Sequence, residues 1–208
     1  MSIIEIAEYL SAFAAFLTGS LAVVELALRR RVKDAEKAMD SYADYLSVNQ
    51  QIKYLESSAR SFSEQCHTLD YKERQAYAKT HMPKPELFRL IRSIEKECIT
   101  GGNFDNVEGR KNAMTIMEIS GEASNFLVTL QTFYRVILDQ DSYSVETIRE
   151  KFELVSMSYQ RMLPLAKNTE RMLRKNLKEV HTSSNAYLLA MALSTLFFLC
   201  ISFILHRL

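Results

Sequence analysis

One stretch constrains this chain more than any other: the apolar run from Ile3 to Leu28, closed by Arg29-Arg30-Arg31. About 20 helical residues at about 1.5 Å each cover the hydrocarbon core of a bilayer, so the run is long enough to cross one. It is not uniformly greasy. In heptad register a seam of Glu8, Ser11, Ala15, Thr18, Ala22 and Glu25 leads to Arg29, small or polar at every step. Phe13, Phe16, Leu21, Val24 and Leu28 lie off that seam. Small residues let backbones approach inside a membrane, and acidic ones are costly there unless they meet water, headgroups or a partner helix. Two readings follow. The six seam residues line a water path shared by several copies, or they form a packing seam with Glu8 and Glu25 in the headgroup zones.

The rest of the chain reads as long helices. It has 208 residues with Gly 5 and Pro 3, so helix breakers are scarce. From Val32 to Thr80 there is neither, and Tyr42, Tyr45, Leu46, Ile52, Leu55, Ala59 and Phe62 supply one wide apolar face. This predicts one helix from the membrane to about His81. Pro83 and Pro85 make Met82 to Lys84 a corner, and Pro85 opens a helix with Leu87, Leu90, Ile91 and Ile94 inward. Gly101-Gly102-Asn103 stops it, and Gly102 to Gly109 reads as a loop with Phe104 tucked in. A third helix is expected from Arg110 to Asp139, with Met114, Met117, Ala123, Leu127, Leu130, Tyr134 and Ile137 inward and Gly121 a weak point.

Ser144 is a candidate cap for a fourth helix from Val145, whose stripe is Ile148, Phe152, Val155, Tyr159, Met162 and Leu163. Pro164 should kink it, because the pattern resumes with Leu165, Met172, Leu173 and Leu177. After the polar approach Thr182 to Asn185, the run Ala186 to Leu205 reads as a second span. The expected fold class is all-α: a two-span transmembrane hairpin with a long-helix cytoplasmic helical bundle. The expected divisions are 1–28 for the first span, 29–185 for the bundle (loops near 82–85, 101–109 and 139–144) and 186–206 for the second span.

Charge sets the expected orientation. Glu5 and Glu8 precede the first span, where a cleavable signal would be positive, and Arg29 to Arg31 with Lys33 follow it. The positive-inside rule then puts both termini outside a bacterial inner membrane and the bundle in the cytoplasm. The formal net charge of +1 does not by itself suggest a nucleic-acid partner.

Catalysis finds little support. His67, His81, His181 and His206 are scattered, with none at metal-ligand spacing, and Cys66, Cys98 and Cys200 read as reduced thiols. Cys66 and His67 are neighbours that point about 100° apart on a helix, so they form no dyad. Glu118 and Glu122 share a face, as acids on solvated helices commonly do. Gly101-Gly102 lacks the Lys-Ser/Thr of a phosphate loop. No enzyme, metal or cofactor is expected.

The basic residues are more informative. Lys167, Arg171, Arg174, Lys175 and Lys178 recur on one helix face, and Arg29, Arg30, Arg31, Lys33 and Lys37 lie at a similar distance from the expected span. They suit anionic lipid headgroups, at about 1 kcal/mol per basic residue. They equally suit a phosphate-bearing ligand, a nucleotide or oligonucleotide, with Tyr42 and Tyr45 as candidate stacking partners. Met114, Met117, Met157, Met162 and Met172 read as adaptable core packing.

Three functions fit this plan. The first is a homo-oligomeric ion channel, a tetramer among its options, with acidic rings favouring cations. The second is a membrane anchor or scaffold recruiting a soluble partner. The third, a sensor between two spans, ranks last, because Arg29 to Arg31 would put its sensing domain on the wrong side. The two runs Ile3–Leu28 and Ala186–Leu205, the helical stretch between them and the basic stripe Lys167–Lys178 together resemble the small membrane effectors of bacterial antiphage defence systems. That resemblance implies ion flow across the inner membrane, growth arrest, and a companion enzyme that makes a nucleotide or oligonucleotide ligand.

Overall fold

A computed structural model describes residues 3–100, 107–139 and 144–207, except the side chains at 3–5, 7, 8, 11, 15, 100, 139 and 199–207. Among the described residues every regular element is helical: α1 (Ile3–Gln65), α2 (Tyr71–His81), α3 (Pro85–Thr100), α4 (Val107–Asp139) and α5 (Val145–Arg207). The all-α expectation holds. The chain divides into two compact units, one of residues 37–173 and one of residues 1–36 with 174–208. Helices α1 and α5 contribute to both.

The larger unit is built on three-and-four spacing. Ala38, Tyr42, Tyr45, Asn49, Ile52, Glu56, Ala59 and Phe62 are all buried on α1, the a/d pattern of packed helices. Ile116, Ile119, Ala123, Phe126, Leu127, Leu130 and Tyr134 do the same on α4, and Ile148, Val155, Met162 and Ala166 on α5. Each large side chain fully buried contributes about 1.5–3 kcal/mol. Ring contacts give the directions. Phe133 meets Phe152 at 6.2 Å and Phe126 meets Tyr159 at 5.7 Å, so α4 and α5 run antiparallel. Tyr42 Oη donates to the Ala166 carbonyl at 3.2 Å, and the Arg60 guanidinium lies 5.9 Å from the Phe152 ring centre, so α1 and α5 are antiparallel too. Helix α4 also packs on α2 and α3.

The long first helix needs one correction. It ends at Gln65, not near His81, and residues 66–70 turn the chain back. A capping box starts α2: the Glu73 amide donates to Asp70 Oδ1 at 2.8 Å, and the Asp70 amide donates to Glu73 Oε2 at 2.9 Å. Thr68 ends α1 locally, its amide and hydroxyl both donating to the Gln65 carbonyl. Helix α2 then lies antiparallel on α1. Tyr77 stacks on Phe62 at 4.9 Å, His81 faces Tyr54 at 6.4 Å, and the Tyr77 hydroxyl donates to the Ser58 carbonyl at 2.9 Å.

Smaller corrections concern loops and stripes. Val107 to Gly109 is helical, so the expected loop does not extend through it; 101–106, Phe104 included, lie outside the described residues. Leu90, Met114 and Leu163 are exposed, because each sits one step round the helix from a buried residue, and Met157 is exposed on the side of α5 away from the buried Val155. Met162 is buried as expected. Ser144 does cap α5, its Oγ accepting from the Thr147 amide at 3.2 Å, and α5 passes through Pro164 without ending.

In the smaller unit the apolar surface is left bare. From Ala12 onward α1 contains an 18-residue window of mean hydropathy 1.6, none of it buried. Among the described residues this is the one helix long and apolar enough to cross a membrane. In the expected second span, Leu188, Leu189, Leu193, Leu196 and Phe197 are exposed, and the side chains from 199 onward, Cys200 included, lie outside the described residues. Within this unit Tyr187 of α5 donates its hydroxyl to the Leu21 carbonyl of α1, and His181 Nε2 stands 3.7 Å from Glu36 Oε1.

Candidate functional site

The predicted seam is visible from Thr18 onward. Thr18 and Ala22 are exposed, and Glu25 is half-buried. The side chains of Glu8, Ser11 and Ala15 lie outside the described residues. Helix geometry satisfies the hydroxyls locally: Thr18 donates to the Ala14 carbonyl at 2.8 Å and Ser20 to the Phe16 carbonyl at 2.9 Å. Glu25 accepts from Arg29 one turn later, at 2.5 Å. That pair balances a carboxylate the sequence alone leaves bare.

The basic residues divide between the units. Arg29, Arg30, Arg31, Arg174, Lys175 and Lys178 belong to the smaller one and are all exposed. Lys167 and Arg171, also exposed, belong to the larger. Lys175 is 3.7 Å from Glu179, a surface pair worth at most about 1 kcal/mol. Exposure suits either phosphate partner, headgroup or ligand.

Tyr42 and Tyr45 are not available for stacking on a ligand. Both are buried, with ring centres 5.8 Å apart, inside the core of the larger unit. Burial raises the Tyr45 hydroxyl well above its ordinary range. Cys66 is buried with its Sγ 3.2 Å from the Ser63 carbonyl, whereas His67 is exposed, so the two share no chemistry. Burial raises the Cys66 thiol and pushes Cys98 up to about 11, which keeps both protonated and unreactive at neutral pH. Among the described residues no three His, Cys, Asp or Glu side chains gather as metal ligands would.

Sequence reasoning missed a cleft of about 460 Å³ in the larger unit, between α1 and the α2–α3 corner. Gln50, Gln51 and Tyr54 form one wall, and Thr80, His81 and Lys84 face them. The readable signal is Tyr54, an aromatic off the buried stripe and 63% exposed. A second groove of about 390 Å³ places Arg89 and Arg92 of α3 beside Ser124 and Gln131 of α4. No protein-family model, curated protein or solved structure matches this chain.

Proposed function

We propose that this chain forms a homo-oligomeric membrane ion channel or pore, spanning the bilayer twice and gated by its helical bundle. The observation that carries the reading is the apolar window of α1, none of which the chain itself buries. Val23 and Phe16 are 70% and 73% exposed, and soluble monomers rarely show so large a contiguous apolar surface. Lipid covers the aromatic and branched residues, and the small face of Thr18 and Ala22 is open to neighbouring copies. One hairpin encloses no water path, so several copies are required. The resemblance to antiphage effectors suggests the setting: a bacterial inner membrane, termini outside, the bundle in the cytoplasm, and a phosphate-bearing ligand as trigger.

The test is a flux and reversal-potential measurement on purified protein in liposomes. The wild type should conduct with cation preference. Glu25→Gln removes a carboxylate and releases Arg29, so cation preference should fall or reverse. Absence of conductance in every condition removes the pore reading, and unchanged selectivity removes the seam from the pore.

A second reading has a specific observation behind it. Thr18 and Ser20 hydroxyls bonded to their own helix, with Glu25 neutralised by Arg29, let α1 rest in lipid without any pore. The chain is then a membrane-anchored scaffold. It predicts electrically silent liposomes and a soluble partner released by charge reversal at Lys167 and Arg171.

A further inference from the structure

The cleft between α1 and the α2–α3 corner sits at the open end of a column of rings. Phe62, buried, stacks on Tyr77 at 4.9 Å and 26°. Tyr77 stacks on His81 at 4.0 Å and 17°. The next interval widens: Tyr54 lies 6.4 Å from His81 and 31° from parallel. Carbon layers in contact are about 3.5 Å apart, so a planar ring held between two others needs about 7 Å. The outermost interval, 6.4 Å between the centres of two tilted rings, is narrower than that, so a guest ring requires Tyr54, which is 63% exposed, to turn outward.

The other groups fit the same kind of guest. His81 Nδ1 lies 3.0 Å from the Tyr77 carbonyl, which can only accept, so Nδ1 carries the proton and the ring is held in place. The amides of Gln50 and Gln51 each offer both a donor and an acceptor, as reading the edge of a heterocycle requires. Thr80 donates its hydroxyl to the Ala76 carbonyl at 2.9 Å, leaving its oxygen to accept. Lys84 brings a positive charge to the corner, beside the N-terminal end of the 16-residue α3, where an anion is favoured. Glu86 in that first turn opposes an anion, so Lys84 is the group on which a phosphate depends. A volume of about 460 Å³ lies within the usual range of about 300–1,000 Å³ for small-molecule sites.

The geometry points to a mononucleotide-binding site in this cleft, with the base stacked on Tyr54 and His81 and the phosphate held by Lys84. Binding stands apart from the pore reading; only its use as a trigger rests on that reading. It also separates the ligand from the basic residues of α5, which are left to the headgroups.

The experiment uses the full chain in detergent micelles and four probes, AMP, GMP, CMP and UMP, with adenosine and inorganic phosphate for comparison. Saturation-transfer NMR and calorimetric titration read binding. At least one nucleotide should bind, with transfer strongest at the base protons, and inorganic phosphate alone should not. Tyr54→Ala should weaken nucleotide and nucleoside alike by at least tenfold, and Tyr54→Phe should restore both. Lys84→Ala should weaken the nucleotide by about tenfold and leave adenosine unchanged, a split that a merely structural lysine would not produce. Lys167→Ala with Arg171→Ala should change nothing. No transfer from any of the four nucleotides overturns the inference, as does unaltered binding by a folded Tyr54→Ala protein. A chain that binds yet never conducts keeps this site and loses the pore; a chain that conducts without binding keeps the pore and loses this site.

Discussion

Removing a polar atom from the core of this protein should stabilise it. Tyr134 is fully buried on α4, and its hydroxyl has no hydrogen-bond partner among the described residues. A buried hydroxyl without a partner costs about 1–3 kcal/mol relative to water. Tyr134→Phe removes that cost and leaves a void one oxygen wide. Each lost atom contact is worth about 0.1–0.2 kcal/mol, so the void returns less than about 1 kcal/mol. The net expectation is a gain of about 1 kcal/mol, and for a chain of 208 residues that raises Tm by about 2–4 °C. Thermal circular dichroism of the full chain in detergent reads it.

A pH series adds a second check. Burial raises the Tyr134 hydroxyl far above the unfolded value of about 10. Above pH 10 the unfolded chain therefore releases a proton that the folded chain keeps. Stability from this group is complete below pH 10 and falls above it by about 1.4 kcal/mol per pH unit. Phenylalanine has no such proton, so the advantage of Tyr134→Phe should widen between pH 9 and 11. A Tm lowered by more than 2 °C, or an advantage constant with pH, would falsify the reasoning, because either result means the hydroxyl is bonded or wet.

Three further expectations are simpler. A methyl at Gly121 meets no atom within 4 Å beyond its chain neighbours and the adjoining backbone of its own helix, and alanine is preferred to glycine inside a helix by roughly 0.5–1 kcal/mol, so Gly121→Ala should raise Tm by about 1–4 °C. Asp70→Ala removes the capping box of α2; about 0.5–2 kcal/mol should be lost, with hydrogen exchange fastest at Glu73 and Arg74, and unchanged exchange there would show that the box does not hold α2. Cys98 sits near pH 11 in the folded chain and near 8.5 unfolded, so its contribution is full below pH 8.5 and is lost as pH climbs toward 11. In a Cys200→Ser background, thiol labelling at pH 7.5 should wait for unfolding, and rapid labelling of Cys98 would contradict its burial.

Much of the fold was legible because helical packing is local. The stripe from Tyr42 to Phe62, the corner at Pro83 and Pro85, and the cap at Ser144 all follow from spacing and from residues that restrict the backbone. The turn at 66–70 was not, and the reason is physical. Ala59, Phe62 and Cys66 carry the buried spacing up to the break, and neither glycine nor proline marks it. The mark was polar instead, the Asp70-x-x-Glu73 box, whose side chains replace the backbone partners that a helix start lacks.

That one missed turn also hid the cleft. A periodic pattern reports which face of a single helix is buried, but not which other helix covers it. Tyr54 lies far from His81 and Lys84 along the chain and meets them only because residues 66–70 send α2 back along α1. Tyr42 and Tyr45 were misjudged for the complementary reason. A tyrosine ring suits a core as well as a ligand face, and their place on the stripe decides for the core. Tyr54, one position off that stripe, is the aromatic that the same spacing leaves for solvent. The heptad therefore did carry the information needed to choose among the tyrosines of α1, provided an aromatic that breaks the pattern is read as a signal rather than as noise.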